Sequence, residues 1–217
     1  MDDAVPSTPA TGRTPRKPRQ ATVERRQEIL RAAANTFGSK GYKTGSLAEV
    51  AEQVGITHAG VLHHFGSKEQ LLIEVLEYRD KEDVENLEGK HIPGGLELFR
   101  HLERTVRANA HRRGIVQGYS VLTGESVTEN HPARGWVRNR FTILRGEIAG
   151  AVMEVGEGRV PESLAALAAS AIIGVMDGLQ VQWLLDDSVD LPESTAFAIE
   201  AILAAAVAGS PRPYPLD

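Results

Sequence analysis

The chain has 217 residues, of which 41% are hydrophobic, and a formal net charge of −5. It is long enough to bury the core of one domain or of two modest ones. It contains no cysteine, which excludes disulfide frameworks, thiolate metal sites and cysteine nucleophiles and suits a reducing cytoplasm. The start of the chain lacks an apolar segment of signal-peptide length, and the most apolar stretch, residues 164–176, is too short for a membrane span. We therefore expect a soluble cytoplasmic protein.

Charge is unevenly distributed along the chain. Residues 13–79 hold 11 Lys/Arg and 7 Asp/Glu, whereas the rest of the chain holds 13 and 22. A basic end fits a polyanion such as DNA, and the acidic remainder is better suited to solvent, a subunit or a small ligand. Ordinary variation of surface charge is the alternative interpretation.

The first 21 residues predict a flexible tail, because they contain four prolines and almost no apolar side chains that burial could use. The second part of this tail is basic, with Arg13, Arg16, Lys17 and Arg19. Such an arm can enter a minor groove, and it can equally serve only to keep the chain in solution.

Four helices are predicted next. Thr22 is a candidate cap for the first, which glycines at positions 38 and 41 would end, and Ser46 with Glu49 forms a capping box for the second. After a glycine turn, Thr57 can cap a third helix to about residue 65, and a second capping box at residues 67–70 opens a fourth helix to about residue 83. A short helix, a glycine turn and another short helix together predict a helix-turn-helix.

The remainder of the chain also has helical patterning, and no alternating strand pattern occurs. Candidate helices cover residues 94–110, 114–128, 132–156, 162–186 and 193–208, with Pro132 at a first helical position and Pro161 and Pro192 at boundaries. The predicted fold class is all-α.

The segment from Gly55 to Leu72 contains three histidines that invite several interpretations. Their spacing of five and one residues does not suit a helical zinc site, and no serine nucleophile, paired carboxylate or glycine-rich phosphate loop accompanies them. Histidines that merely solvate a helix face are the structural alternative. Lys68 and the start of the fourth helix favour phosphate binding instead. No catalytic residue, metal or cofactor is expected.

Residues 25–76, "RRQEILRAAANTFGSKGYKTGSLAEVAEQVGITHAGVLHHFGSKEQLLIEVL", resemble the DNA-binding domain of the tetracycline-repressor (TetR) family of transcriptional regulators. The resemblance implies that base-reading positions fall on Thr57, His58, Ala59, Gly60 and His63. It implies that phosphate-contacting positions fall on Ser46, Leu62, His64 and Lys68. The family usually has tyrosine where this chain has Leu62, so one hydroxyl-to-phosphate hydrogen bond is missing.

The C-terminal half resembles the ligand-binding and dimerisation domain of the same family, through "ENHPARGWVRNRFTILRGEI" and "AIIGVMDGLQVQWLLDD". This implies a homodimer, with interface candidates Leu167, Ala171, Val175, Leu179, Trp183, Phe197 and Ile202. Candidate ligand-binding residues are Phe99, Leu102, Tyr119, Leu122, Trp136, Phe141, Leu144 and Met176. Asp177 is expected to be a satisfied interface group, with ligand contact as the alternative.

The expected organisation is therefore a basic tail (1–21), a helix-turn-helix domain (22–67), a connecting helix (68–83), a ligand-binding and dimerisation domain (84–208) and a C-terminal tail (209–217). The expected function is a repressor released from a palindromic DNA operator by a small apolar ligand. A helical enzyme and a non-specific DNA-coating protein are the alternatives.

Overall fold

The computed structural model describes residues 18–84 and 92–209, and the predicted tails lie largely outside these ranges. Within them the fold is all-α, as predicted, with nine helices and no strand. The helices are α1 (Pro18–Thr44), α2 (Leu47–Gln53), α3 (His58–Phe65), α4 (Lys68–Val84), α5 (Gly95–Asn109), α6 (Arg113–Glu125), α7 (Arg134–Val155), α8 (Glu162–Leu185) and α9 (Leu191–Val207).

The boundaries of α1 differ from the sequence-based prediction. The helix begins at Pro18 instead of being capped at Thr22, because proline is well tolerated in a first helical turn. It also continues past Gly38, and only at Gly41 (φ 75°, ψ 168°) does the backbone leave helical geometry. The glycine at 38 thus serves close packing instead of helix termination.

The helix-turn-helix has the predicted caps. The Ser46 hydroxyl accepts the Glu49 N–H at 3.2 Å, and Glu49 accepts the Ser46 N–H at 3.3 Å. The Thr57 hydroxyl accepts the Gly60 N–H at 3.1 Å and starts α3. At α4 only the first half of the predicted box is present, since Ser67 accepts the Gln70 N–H at 3.0 Å and the Gln70 side chain donates to Glu74.

Two buried clusters form the core. The first joins α1 to α4 through residues such as Phe37, Val50, Val61 and Leu71, and it also contains Tyr119 of α6. The second joins α5, α7, α8 and α9, with the fully buried side chains Leu98, Ile172 and Ile199. Since the first cluster includes residues of the C-terminal half, the two domains share part of one core.

Two helices of the C-terminal half start elsewhere than predicted. Helix α7 begins at Arg134, because residues 128–133 form turns in which His131 Nδ1 accepts the Ala133 N–H at 3.3 Å. Helix α9 begins at Leu191, where Asp190 caps it and Pro192 lies inside its first turn. At α9 a side-chain acceptor, Asp190, sets the start of the helix, whereas the first turn of α7 has no side-chain cap.

Helix α8 is the one helix in the described parts of the chain that is long and apolar enough to cross a membrane, by length and composition only. It is longer than the apolar stretch ending at Met176, because Asp177 does not interrupt it. One of its faces packs in the second core cluster through Ala165, Ala168 and Ile172. Core helices commonly have such a composition.

Candidate nucleic-acid interface and ligand cavity

Helix α3 has one buried face and one exposed face. Val61 and Phe65 are buried in the first core cluster and fix the helix against α1, α2 and α4. The opposite face exposes His58, Ala59 and His63. These are three of the five predicted base-reading residues, and they lie together on one surface that is polar and low in side-chain bulk at its N-terminal end.

The other predicted base-reading residues have structural contacts as well. Thr57 is exposed, but its hydroxyl is engaged in capping α3. Gly60 is half-buried, and a Cβ atom added to it would meet Ile56 and Thr57 only at ordinary contact distances of 3.5 Å. The fold therefore does not require glycine at position 60. The missing side chain leaves room for the backbone of α3 to approach a groove closely.

Lys68 lies at the junction of α1, α3 and α4. Its ammonium donates to the Lys43 carbonyl oxygen at 3.3 Å and lies 4.6 Å from the centre of the Tyr42 ring. An ammonium has three donors, so the backbone bond leaves capacity for a phosphate oxygen. Ser46, also predicted to contact phosphate, is half-buried and caps α2 with its hydroxyl.

His64 is half-buried at the C-terminal end of α3. Desolvation, together with the positive charges of neighbouring His63, Arg26 and Arg25, lowers the pKa of His64. Arg26 donates to the His64 carbonyl oxygen and to Glu74, and its guanidinium lies 4.2 Å from the centre of the Phe65 ring. Arg26 cannot be identified from the sequence as part of this region, because its partners in α3 and α4 are 38 and 48 residues away.

Leu62 is half-buried and packs against the first core cluster. The side chain that replaces the family's usual tyrosine thus makes an apolar contact within the domain. No phosphate hydrogen bond is available from this position, since leucine has no polar side-chain atom.

A cavity of about 430 Å³ lies between α4, α5, α6, α7 and α8. Five of the eight candidate ligand residues line it, namely Leu102, Tyr119, Trp136, Leu144 and Met176. The other three are placed elsewhere. Phe99 belongs to the second core cluster, Leu122 to the first, and Phe141 packs against the first.

The cavity also has polar groups that the sequence did not reveal. Arg140 of α7 donates through Nε to both carboxylate oxygens of Asp80 of α4, at 2.9 and 2.8 Å, and through Nη1 to the Tyr119 hydroxyl at 2.8 Å. Desolvation acts to lower the pKa of Arg140, but Tyr119, Asp80 and Asp177 outweigh it and raise the pKa. The walls are mainly apolar, yet they carry more charge than the sequence indicated.

Asp177 and Gln180 both line this cavity. They are three residues apart on α8, so they are neighbours on one helix face. The sequence predicts a subunit-interface role for Asp177, with ligand contact as the alternative. Its position in the cavity wall favours ligand contact. In the sequence, two polar residues on one face of an apolar helix indicate this part of the cavity.

The predicted interface residues of α8 and α9 are unevenly exposed in a single chain. Leu167 is 67% exposed, Phe197 is 76% exposed, and Ala171 is also exposed. Val175, Leu179 and Trp183 are half-buried, and Ile202 packs against the second core cluster. Large apolar side chains at such exposure leave an uncovered apolar face on the two helices.

No cluster of three or more histidine, aspartate or glutamate side chains able to hold a metal ion occurs in residues 18–84 and 92–209.

Comparisons with known proteins match both halves of the chain. Residues 29–75 match the model of the family described as bacterial regulatory proteins, tetR family. The HTH-type transcriptional repressor KstR2 of Mycolicibacterium smegmatis is 40% identical over 63 residues, which cover 29% of this chain and 29% of that repressor. The HTH-type transcriptional regulator TtgR of Pseudomonas putida is 28% identical over 192 residues, which cover 81% of this chain and 88% of TtgR.

A solved structure shows the same fold. A transcriptional regulator from Rhodococcus sp. Rha1 has a TM-score of 0.68 at 17% identity, over 85% of this chain and 96% of that one. The match to KstR2 spans less than a third of that repressor's length. The likeness in the N-terminal domain is therefore one of sequence, and the likeness of the whole chain to the Rhodococcus regulator is one of fold.

Proposed function

We propose that the chain is a member of the tetR family of bacterial regulatory proteins, whose model residues 29–75 match, and that it is a cytoplasmic, sequence-specific transcriptional repressor. It binds a palindromic operator as a homodimer, and a small molecule releases it. The observation that carries this proposal is α3, a short helix anchored by two buried side chains inside the family match, with an exposed polar face.

In this proposal, some residues of the domain contact bases and others contact the phosphate backbone. The exposed histidines His58 and His63 approach base edges, and the small residues Ala59 and Gly60 let the backbone come close to the groove floor. His64 lies at the end of α3 and Lys68 at the start of α4, where both contact the phosphate backbone. The hydroxyls of Ser46 and Thr57 accept the capping N–H groups of α2 and α3. Each hydroxyl can still donate its own proton, to a phosphate from Ser46 and to a base edge from Thr57.

Dimerisation follows from the uncovered apolar face of α8 and α9. Small residues such as Ala171, Gly174 and Gly178 are exposed on α8 beside Leu167, and they allow a second copy of these helices to approach closely. An isologous four-helix contact would bury Leu167 and Phe197 of both copies and would set the distance between the two α3 helices. Half-sites about 34–36 Å apart, or a multiple of this, are expected.

Release by a ligand requires that the cavity and α3 be mechanically connected. Asp80 belongs to α4, whose first turn carries Lys68, and its partner Arg140 belongs to the cavity wall. A molecule that moves the Arg140 guanidinium therefore acts on α4 directly. Only a ligand that binds the two conformations unequally shifts the equilibrium between them.

Selection of bound sequences from a random duplex library, followed by footprinting of the recovered DNA, tests the proposal. Protection of a discrete palindrome is the expected result. Salt-sensitive protection without sequence preference would instead indicate a DNA-coating protein, and absence of DNA binding would leave the helical enzyme as the alternative.

A further inference from the structure

The cavity between α4 and α8 has an excess of negative charge. Its lining includes the carboxylates of Glu77, Asp80, Glu147 and Asp177, and one permanent cation, Arg140. Arg140 is engaged by both oxygens of Asp80 and by the Tyr119 hydroxyl. Counting His101 as neutral, the described residues of the lining carry a formal charge of −3, which favours cations over anions in the cavity.

Gln180 supplies a second observation. Its side chain is 2% exposed, and its Nε2 atom donates to the Met176 carbonyl oxygen at 3.2 Å. This bond fixes the orientation of the amide, and the Oε1 atom is left buried without a hydrogen-bond partner among the described residues. A buried acceptor of this kind is completed by a donor that enters the cavity.

The rest of the wall specifies the body of the molecule. Leu102, Leu144 and Met176 present aliphatic surface, and Trp136 and Tyr119 present aromatic surface. The faces of aromatic rings attract cations. The rings and the carboxylates of this wall therefore both favour a cationic ligand. An anionic ligand would have to take Arg140 from Asp80 and then lie among the other carboxylates.

Resting on the proposed function, we propose that the ligand of this cavity is an amphipathic cation. Its apolar or aromatic body lies against Trp136 and the aliphatic wall, and its protonated amine donates an N–H to Gln180 Oε1. The charge of the amine lies on the face of α8 that carries Asp177. Gln180 and Asp177 are therefore the residues that determine ligand specificity.

Three probes with a phenyl ring on a four-carbon chain test the charge preference: 4-phenylbutylamine, 4-phenylbutanol and 4-phenylbutyrate. Each is titrated calorimetrically into the full chain at pH 7. The amine is expected to bind about tenfold more tightly than the alcohol, the size of effect given by one hydrogen bond or ion pair in a shielded site. The carboxylate is expected to bind most weakly. Absence of amine binding, or binding of the alcohol or carboxylate as tightly as the amine, would overturn the proposal.

Variants locate the effect. Asp177→Asn should reduce the ratio of amine affinity to alcohol affinity. Gln180→Leu should weaken the binding of both the amine and the alcohol. Gln180→Glu, which keeps the shape of the side chain, should strengthen amine binding. Glu129→Gln, at an exposed position outside the cavity, is the matched control and should change nothing. An amine advantage that is identical in all four variants would contradict the assignment of these residues.

Operator binding by the ligand-free protein is measured separately by gel shift. This measurement tests the proposed function independently of the ligand class. Normal operator binding with preference for the carboxylate would overturn the ligand class alone.

Discussion

The backbones of Gly38 in α1 and Gly118 in α6 pass in direct contact, so that a Cβ atom on Gly38 would lie 2.6 Å from the Gly118 Cα atom. The Gln117 side chain donates to the Gly38 carbonyl oxygen at 3.3 Å beside this crossing. The DNA-binding domain is therefore held against the C-terminal domain by packing along α1 and α6, in addition to the covalent connection through α4.

Gly38→Ala should destabilise the protein by about 1–3 kcal/mol, because the added methyl group meets backbone that cannot move without separating the two helices. Urea denaturation measures this. Gly124→Ala is the matched control, since Gly124 lies in α6 with nothing within 4 Å of an added Cβ atom, and alanine there should stabilise the helix slightly. Equal free energies of unfolding for the two variants would show that the crossing of α1 and α6 does not constrain the fold.

Lys68→Ala should weaken binding to all DNA sequences and reduce the dependence of log affinity on log salt by about one unit. His58→Ala should instead change which bases are preferred, because His58 lies on the exposed face of α3. Titrations of operator and random DNA at several salt concentrations separate the two effects. Since Lys68 also lies against Tyr42, the folding of the Lys68 variant needs to be checked by thermal melting. Loss of specificity in both variants alike would contradict the division between the two residues.

Operator affinity should increase as the pH falls from about 7 toward 6. Desolvation and the nearby positive groups lower the pKa of His64 in the free protein, so His64 is neutral there at pH 7. A phosphate beside it would raise this pKa, and DNA binding would then take up a proton. His64→Gln should flatten the pH dependence of the affinity. A wild-type profile identical to that of His64→Gln would rule out phosphate contact by this residue.

The stability of the folded chain should decrease as the pH falls through about 6.5, the value for an unperturbed histidine. Burial lowers the pKa of His131 despite the opposing effect of Glu125, with a smaller contribution from Lys43. A histidine whose pKa is lower in the folded state is protonated first in the unfolded state. Its contribution is therefore fully present above the unfolded pKa, and it is lost between that value and the lower folded one.

Urea denaturation across this pH range measures the effect of His131. His131→Asn keeps an acceptor for the Ala133 N–H and removes the titrating ring, so its pH dependence should be shallower than that of the wild type. His111→Asn, at an exposed position, is the control. If the His111 and His131 variants have the same pH dependence, burial of His131 is not its source.

Local signals predicted the helix-turn-helix well. Ser46 and Thr57 cap the helices that the sequence assigned to them, because a capping side chain and its backbone partner are only three residues apart. The same local reasoning failed at Gly38, where a glycine that resembles a helix terminator is needed for contact with a helix 80 residues away. Sequence patterns contain no record of that contact.

The lining of the cavity between α4 and α8 could be predicted only in part, for a similar reason. Apolar residues such as Leu102 and Leu122 have equivalent patterns in the sequence, yet one lines the cavity and the other fills the core. The ion pair of Arg140 with Asp80 joins residues 60 positions apart, so neither partner could be identified from its neighbours. Asp177 was detectable, because a carboxylate in an apolar helix requires an explanation.

The spacing of the operator tests most directly whether two copies of α3 read DNA together. Once the selected palindrome is known, about five base pairs inserted between its half-sites would turn them to opposite faces of the duplex, because one helical turn contains about 10.5 base pairs. Titration of the full chain with the original and the lengthened operator should show that affinity for the lengthened operator falls to the level of random DNA. Equal affinity for the two operators would contradict the account, because it would mean that α3 of each copy binds DNA independently.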